Sequence, residues 1–233
     1  MTVKDRLLHI QQQIEQAKTR VGRTDDVHIV AVTKYVDEHI AKEVVDAGLK
    51  HLGENRWQVA KDKWFYLNEL RTTEQIQSFD WHFIGSLQTN KVKEVVGRFT
   101  YLHSLDRLSL AEALQKQAEK VACDIKCFIQ VNVSGELSKS GIEPHELFDF
   151  VEQLKVYTRV QPIGLMTMAP FEDNPEHTRN VFRQLRALRD ELQTRSNGQS
   201  AITELSMGMS NDFQIAVEEG ATYVRLGSSL VGK

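Results

Sequence analysis

Short apolar runs alternate with longer segments of helical period along this 233-residue chain. The apolar runs are rich in Val, Ile, Phe and Leu, which is typical of strands in a parallel sheet covered on both faces. Strands alternating with helices predict such a sheet, with right-handed crossover connections. The predicted strands cover residues 28–34, 51–55, 81–85, 101–105, 126–133, 162–168, 204–209 and 223–226.

Helical segments follow the strands, and one more precedes the first strand. Gly48, Gly97 and Gly220 are expected to end three of the helices, whereas Asp106 and Pro144 are expected to begin two others. The predicted helices cover 1–20, 37–47, 56–70, 88–96, 107–121, 145–156, 175–194 and 211–219.

Eight strand–helix units predict an α/β fold, namely a single (β/α)8 TIM barrel with an extra N-terminal helix. Such a barrel takes roughly 250 residues, so residues 1–233 are expected to form one domain. No Ser- or Gly-rich linker marks a boundary inside the chain. The alternative is an open doubly wound sheet, but the G-x-G-x-x-G fingerprint of dinucleotide binding is absent after the first strand.

The composition argues against several classes of partner and site. With 29 basic and 32 acidic residues the formal net charge is −3, which offers no basic field for nucleic acid. No segment approaches the roughly 18 apolar residues of a membrane span, and residues 1–20 lack the apolar centre of a signal peptide. Cys123 and Cys127 are too few for a disulfide framework, and the histidines lack metal-binding spacing. We therefore expect a cytoplasmic protein without metal, and a monomer because no heptad repeat is present.

Polar residues gather at the C-terminal ends of the predicted strands, where barrels of this kind carry their chemistry. Lys34 ends the first strand after an apolar run. A partly desolvated amine there would make a Schiff-base nucleophile, because burial disfavours the ammonium form. The alternative is an ordinary lysine whose side chain reaches from a strand end to water. The other strand-end residues are Glu54, Asn55, Ser104, Asn132, Met166, Thr167, Ser206, Ser210, Arg225, Gly227 and Ser228.

The last two strand ends carry Gly/Ser turns, at residues 206–210 (SMGMS) and 225–229 (RLGSS). Barrels frequently bind phosphate with the loops after strands 7 and 8, although Gly and Ser are also common in ordinary turns. Arg225 lies inside an apolar strand and needs an anion, an aromatic face or an acceptor, for example Glu204 or Glu54. His82 is interpreted either as a core histidine or as an acid or base.

Several stretches together resemble the pyridoxal phosphate homeostasis protein family: AVTK at 31–34, GENR at 53–56, WHFIGSLQTNK at 81–91, SLD at 104–106, SKSGI at 138–142, GLMTM at 164–168, LSMGMSND at 205–212 and RLGSSLVG at 225–232. The resemblance covers nearly the whole chain. It implies a barrel like the N-terminal domain of bacterial alanine racemase, with pyridoxal 5'-phosphate (PLP) as the cofactor.

The resemblance also implies roles for individual residues. Lys34 would form the Schiff base with PLP, Asn55 and Met166 would lie near the cofactor ring, and Arg225 would face the pyridine nitrogen. The remaining residues implied to bind the cofactor lie on the phosphate side: Ser206, Met207, Ser210, Gly227 and Ser228. Lys139, in SKSGI, is either a secondary amine during cofactor transfer or a solvated loop lysine.

An arginine at the pyridine nitrogen cannot accept a proton and weakens the electron sink that deep carbanion chemistry needs. The eight units also leave no second domain to supply an opposing base. We therefore expect a protein that holds PLP and delivers it in transient contact with PLP-dependent apo-enzymes, without evident catalysis. One alternative is a racemase-like enzyme that uses His82 or Ser104 as acid or base. Another is a class I aldolase that acts on a sugar phosphate.

Overall fold

The strands form a closed barrel in a computed structural model that describes residues 1–73, 76–136, 140–170 and 174–232. Neighbouring strands are parallel and follow the order of the chain, and β8 closes the barrel against β1. This confirms the predicted (β/α)8 barrel. The strands are β1 (His28–Val32), β2 (His51–Glu54), β3 (Asp80–Phe83), β4 (Tyr101–Leu105), β5 (Ile125–Gln130), β6 (Val160–Met166), β7 (Glu204–Met209) and β8 (Tyr223–Leu226).

Helices surround the barrel, and three of them are preceded by a single 3-10 turn, at Thr89–Lys91, Pro144–Glu146 and Pro175–Thr178. Within the described ranges the α-helices are α1 (Val3–Arg20), α2 (Glu38–Asp46), α3 (Trp57–Thr73), α4 (Val92–Val95), α5 (Leu108–Val121), α6 (Leu147–Leu154), α7 (Arg179–Arg195), α8 (Phe213–Glu218) and α9 (Ser228–Val231). None of them combines the length and apolar character needed to cross a bilayer.

The boundaries differ from the sequence expectations at two places that matter for function. Strand β1 ends at Val32, so Lys34 lies in the following turn and not in the strand. Helix α5 begins at Leu108, and Asp106 does not cap it, because its carboxylate instead accepts a hydrogen bond from Arg107 Nη1 at 2.6 Å. The apolar pattern located both elements, but it does not determine which residue makes the last strand hydrogen bond.

The N-terminal helix α1 completes the outer ring. Helix α9, which follows β8, is only 4 residues long and cannot cover the barrel there. Helix α1 packs against α8, α9 and α2 and fills that position. Its start is fixed by a capping box between Thr2 and Asp5, and Arg6 Nε donates to Leu230 O at 2.6 Å. The extra helix is therefore a structural part of the barrel wall.

Two apolar clusters lie on the two sides of the barrel wall. The larger one fills the space between the strands and the helices. The smaller one lies inside the barrel and consists of Val30, Tyr101, Phe128, Met166 and Tyr223. Aromatic and histidine side chains from neighbouring strands complete this inner layer. The barrel is therefore filled with side chains and is not an open pore.

Candidate functional site

Lys34 lies just past β1, at the C-terminal mouth of the barrel. Its side chain is half-buried, and Nζ lies 4.8 Å from the centre of the exposed Tyr35 ring. Strand β1 pairs with β8, where Val30 is opposite Arg225. Lys34 therefore follows the strand that pairs with the one carrying Arg225.

A buried ion pair holds the turn that carries Lys34. Lys63 Nζ on α3 lies 2.7 Å from Glu54 Oε1, and both side chains are almost completely buried. The same ammonium donates to the carbonyl oxygens of Thr33 (2.7 Å) and Val36 (3.0 Å), on either side of Lys34. Thr33 Oγ1 donates to Glu54 Oε1 at 2.6 Å. These contacts join the turn after β1, strand β2 and helix α3 next to Lys34.

Unlike Lys63, Glu54 has a polar atom that lacks a hydrogen-bond partner in the described part of the chain. Its second oxygen, Oε2, is buried and has no hydrogen-bond partner among the described residues. Burial raises the pKa of Glu54, and the charge of Lys63 opposes that shift. Sequence reasoning listed Glu54 as a strand-end residue and as a candidate ion-pair partner of Arg225. It missed Lys63, because nothing in an amphipathic helix shows that one of its lysines points inward.

Asn55 follows β2 and is half-buried beside the Lys34 turn. Gly85, after β3, lies so close that a Cβ atom there would meet the Asn55 carbonyl oxygen at 2.2 Å. Only glycine allows this approach of the two strand ends. Asn55 also lines a cavity of about 370 Å³, together with Arg56 and Lys91. This places Asn55 at the mouth, on the side where the sequence expected it.

After β7 and β8, on the other side of β1 from Asn55, hydrogen-bond donors converge on one oxygen atom. Ser210 Oγ accepts from the backbone N–H groups of Gly227 (3.3 Å) and Ser229 (3.4 Å), and the Ser229 hydroxyl lies 3.0 Å away. Two backbone amides and a hydroxyl around one oxygen form a cup that suits a phosphate oxygen. Ser228 is exposed, and Ser229 contributes to the cup a hydroxyl that sequence reasoning did not list.

One residue near the end of β7 and one in the turn after it shape this cup. Gly208 has a φ of +91°, and a Cβ atom there would meet Ala216 Cβ at 2.5 Å. Glycine therefore allows the chain to turn close to α8. Asp212 accepts a hydrogen bond from the Met209 N–H at 2.6 Å and closes the turn that carries Ser210. Burial raises the pKa of Asp212, which the backbone bond and the charge of Arg225 oppose.

Arg225 is buried in the barrel and held by neutral acceptors. Nη1 donates to Ser206 Oγ at 2.6 Å and Nη2 donates to the Thr167 carbonyl oxygen at 3.0 Å. Burial lowers the pKa of Arg225 to about 10, and the charge of Asp212 opposes this shift. The guanidinium therefore stays charged at neutral pH. Its hydrogen bonds do not go to Glu204 or Glu54, the two ion-pair partners considered from the sequence.

Ser206 lies apart from the cup. Its side chain is fully buried, and its hydroxyl bonds to Arg225 and to His103 Nδ1 at 2.9 Å. These contacts favour a role in holding Arg225 over the phosphate role expected from the resemblance. The neighbouring Met207 side chain packs in the outer core between strands and helices, so it could offer a ligand only backbone atoms. Met166 points inward, in the cluster inside the barrel.

The two acid or base candidates are both engaged elsewhere. His82 is completely buried and bonds to His51 and His103. Ser104 Oγ donates to the Gly85 carbonyl oxygen at 2.7 Å. Lys139, the secondary amine considered from the sequence, lies outside the described residues. Sequence reasoning missed His51 and His103, which share an interior network with His82.

The sequence profile of the alanine racemase N-terminal domain matches residues 6–233. This chain is 42% identical to the pyridoxal phosphate homeostasis protein of Aquifex aeolicus, a match that covers all of this chain and 99% of that one. It is 34% identical to the Escherichia coli K12 protein of the same name, which covers 97% of this chain and 94% of that one. The chain belongs to the pyridoxal phosphate homeostasis protein family, as its motifs predicted.

Solved structures agree with this family. PipY of Synechococcus elongatus, solved without PLP, is 34% identical, with a TM-score of 0.86 and coverage of 99% of this chain and 100% of that one. The same protein has been solved with PLP bound, with a TM-score of 0.84. Alanine racemase of Clostridium difficile shares the fold, with 14% identity and a TM-score of 0.70. That match covers 97% of this chain but only 56% of the racemase.

Proposed function

We propose that this protein binds PLP at the C-terminal mouth of the barrel, holds it through a Schiff base to Lys34, and delivers it to apo-enzymes without catalysing a reaction of its own. One arrangement carries this proposal. A half-buried primary amine follows β1, a cup of oxyanion donors follows β7 and β8, and a buried arginine lies in β8, the strand next to β1. The PLP-bound structure of PipY, a 34% identical relative, supports the choice of ligand.

The residues fit the parts of PLP one by one. The phosphate would take the place of Ser210 Oγ among the N–H groups of Gly227 and Ser229, while Ser210 and Ser229 turn their hydroxyls toward it. Asn55 and Met166 would border the ring. Arg225 would face the pyridine nitrogen as a hydrogen-bond donor, because a charged guanidinium has no acceptor to offer.

Bound PLP supplies an aldehyde that condenses reversibly with a primary amine. The task of the protein is then to bring one amine to it and to exclude others. Lys34 is tethered by a turn that Lys63 holds at Thr33 and Val36, so its backbone is fixed while its side chain keeps its freedom. A lysine with a fixed backbone and a mobile side chain suits repeated attachment and release of the cofactor.

Holding the cofactor is favoured over racemisation by the surroundings of Lys34. A racemase needs a second acid or base on the opposite face of the substrate. His82 is completely buried in a network of its own, and Ser104 donates to a backbone carbonyl oxygen. Arg225 at the pyridine nitrogen would weaken the electron sink further. These features support a carrier over a racemase, and we further propose that this carrier is a monomer and acts in the cytoplasm.

The test is a spectrum followed by chemical trapping. We expect the purified protein with added PLP to absorb in the visible range and, after borohydride reduction, to carry the label on Lys34. Lys34→Ala should lose the label. Lys126→Ala is the matched control, because Lys126 lies at the other end of the barrel, 5.2 Å from the Tyr101 ring centre. A label that persists in Lys34→Ala contradicts the proposed attachment.

The absence of catalysis has its own test. We expect no exchange of the α-proton when the loaded protein is incubated with L-amino acids in deuterated water. Exchange that disappears in Lys34→Ala would favour the racemase-like alternative. Delivery would be measured by activation of a PLP-dependent apo-enzyme in the presence of a scavenger of free PLP, where activation that needs free PLP would contradict direct transfer.

A further inference from the structure

A chain of hydrogen bonds runs through the barrel interior from β2 to β8. His51 Nδ1 lies 2.9 Å from His82 Nε2, and His82 Nδ1 lies 2.8 Å from His103 Nε2. His103 Nδ1 lies 2.9 Å from Ser206 Oγ, which accepts from Arg225 Nη1 at 2.6 Å. Each link joins side chains on different strands. The chain connects the half-buried His51, at the N-terminal end of β2, to the arginine at the cofactor mouth.

The arginine sets the direction of every bond in this chain. A guanidinium can only donate, so the Ser206 oxygen accepts from Arg225. Among the described residues His103 Nδ1 is the only other partner of the Ser206 hydroxyl, so the hydroxyl proton is directed to that nitrogen. His103 must then carry its proton on Nε2 and donate to His82 Nδ1. His82 in turn donates from Nε2 to His51 Nδ1. One permanent donor at the end therefore selects the Nε2–H tautomer for all three histidines.

Packing holds the rings in the planes that this chain needs. The His82 ring stacks on Tyr101 at a centroid distance of 4.1 Å and an angle of 5°, and His103 stacks on Phe128 at 4.3 Å. Burial lowers the pKa of both histidines well below 6.5, so both are neutral at neutral pH. A second proton on either ring would place two N–H donors face to face, which adds to this preference.

We propose that His51, His82, His103 and Ser206 form a polarised hydrogen-bond chain that positions the Arg225 guanidinium, so that residues at the far end of the barrel help to determine how PLP is bound. Ser206 and His103 act on Arg225 directly, and His82 and His51 act through them. The effect on PLP rests on the proposed function, whereas the order of the bonds does not. The four residues are positioning residues, because none of them is placed against the cofactor.

The first experiment uses the full-length protein without added PLP. Nitrogen-15 spectra of histidine-labelled protein should show His51, His82 and His103 all protonated on Nε2. His103→Phe, which keeps a ring against Phe128 but offers no acceptor, should shift the side-chain resonances of Arg225. His103→Asn keeps an acceptor for Ser206 and should restore them in part. A histidine protonated on Nδ1, or Arg225 resonances unchanged in His103→Phe, would overturn the proposal.

The second experiment measures PLP binding and the visible spectrum of the loaded protein. We expect Ser206→Ala to bind PLP roughly tenfold more weakly, and His103→Phe to show a smaller loss with a shifted absorption maximum. Tyr101→Phe is the matched control, because it keeps the ring that stacks on His82 and removes only a hydroxyl that takes no part in the hydrogen-bond chain. Loss in Tyr101→Phe equal to that in His103→Phe would show a general packing effect and reject positioning.

The two experiments separate the two proposals. Suppose that the tautomers and the Arg225 resonances behave as expected but the wild-type protein does not bind PLP. The hydrogen-bond chain then positions Arg225, and the proposed function is wrong. If PLP labels Lys34 but the chain variants bind it with wild-type affinity and spectrum, the proposed function stands and the positioning role is rejected.

Discussion

The two sides of the barrel mouth are built in opposite ways. On the β1–β2 side, the candidate reactive group, Lys34, is half-buried, and its amine lies beside an exposed tyrosine. On the β7–β8 side, Arg225 is buried and bonded to Ser206 and to the Thr167 carbonyl oxygen. The first side fixes only the backbone beneath its functional group. The second side fixes the functional group itself.

This difference matches the tasks that the two sides would perform. A lysine that forms and breaks a covalent bond must reach more than one position, so holding its amine rigidly would slow exchange. Donors that recognise a phosphate or a ring nitrogen bind best when they are already oriented, because no ordering entropy is then lost on binding. The contrast predicts that perturbing the β1–β2 support changes attachment, whereas perturbing the β7–β8 side changes affinity.

The largest expected effect is on the β1–β2 side. Lys63→Met leaves Glu54 buried without its counter-charge, which should lower the free energy of unfolding by about 3–5 kcal/mol. Urea unfolding would measure it. Lys116→Met, which breaks an exposed pair with Glu112, should cost less than about 1 kcal/mol. Lys63→Met should also slow PLP attachment to Lys34 while inorganic phosphate binding persists. Equal stability losses in both variants would contradict the support assigned to Lys63.

The interior histidines on β3 and β4, whose hydrogen-bond chain ends at Arg225 on β8, predict a pH dependence. The folded protein keeps His82 and His103 neutral because burial lowers the pKa of each well below 6.5, whereas the unfolded chain protonates them near that pH. Protons taken up only by the unfolded state destabilise the fold as pH decreases. Below pH 6 these two residues should together contribute a loss of about 3 kcal/mol per pH unit.

Urea unfolding at a series of pH values checks this slope. His82→Phe should make the slope shallower by about 1.4 kcal/mol per pH unit, because one titrating group is removed. Tyr101→Phe should leave the slope unchanged. The same slope in wild type and His82→Phe would mean that His82 is protonated in the folded protein.

The end of β7 should be sensitive to a single methyl group. Gly208→Ala meets both a φ of +91° and an approach of 2.5 Å to Ala216 Cβ, which should lower the free energy of unfolding by about 2–4 kcal/mol. Gly198→Ala has a similar φ of +77° but no atom within 4 Å, so about 1 kcal/mol is expected. Comparing the two variants isolates the close approach. A larger loss of unfolding free energy in Gly198→Ala than in Gly208→Ala would contradict a destabilising contact between residue 208 and Ala216.

The smallest expected effect concerns the cup itself. Ser229→Ala removes one hydroxyl donor, which should weaken PLP binding by about 1 kcal/mol while stability changes little. Ser228→Ala, at the exposed neighbouring position, should bind almost as wild type. Titration calorimetry would compare the two variants. If Ser228→Ala shows the larger loss, the phosphate site follows the original sequence expectation and not the geometry of the cup.

Local patterns were enough to predict most of the architecture. The apolar runs located all eight strands, and their alternation with helices predicted the closed barrel. They placed Lys34, Asn55, Ser210, Gly227 and Arg225 near strand ends, which is where the structure has them. The predicted strand boundaries differ from the observed ones by up to three residues, as at the end of β5 at Gln130, because a strand end depends on hydrogen bonds to its neighbours.

The candidate site could be predicted only in part. Ser206 and Ser210 look alike in the sequence, yet Ser206 points into the barrel beside Arg225 and Ser210 lies in the cup. Lys63 looks like other lysines of an amphipathic helix, yet it is buried against Glu54. Such distinctions depend on which face of a strand or helix meets which partner, and that is a property of the packed molecule.

The sequence by itself determined the fold class, the family and the strand ends that carry chemistry, because these follow from periodicity and from contiguous motifs. Only the tertiary structure decided that His51, His82 and His103 form one chain. Each histidine alone is compatible with an ordinary core position. Their bonds depend on the register of β2, β3 and β4 and on the closure of the barrel, which brings Ser206 and Arg225 to the end of that chain. Contacts between side chains on distant strands depend on packing and cannot be inferred from any local stretch of residues.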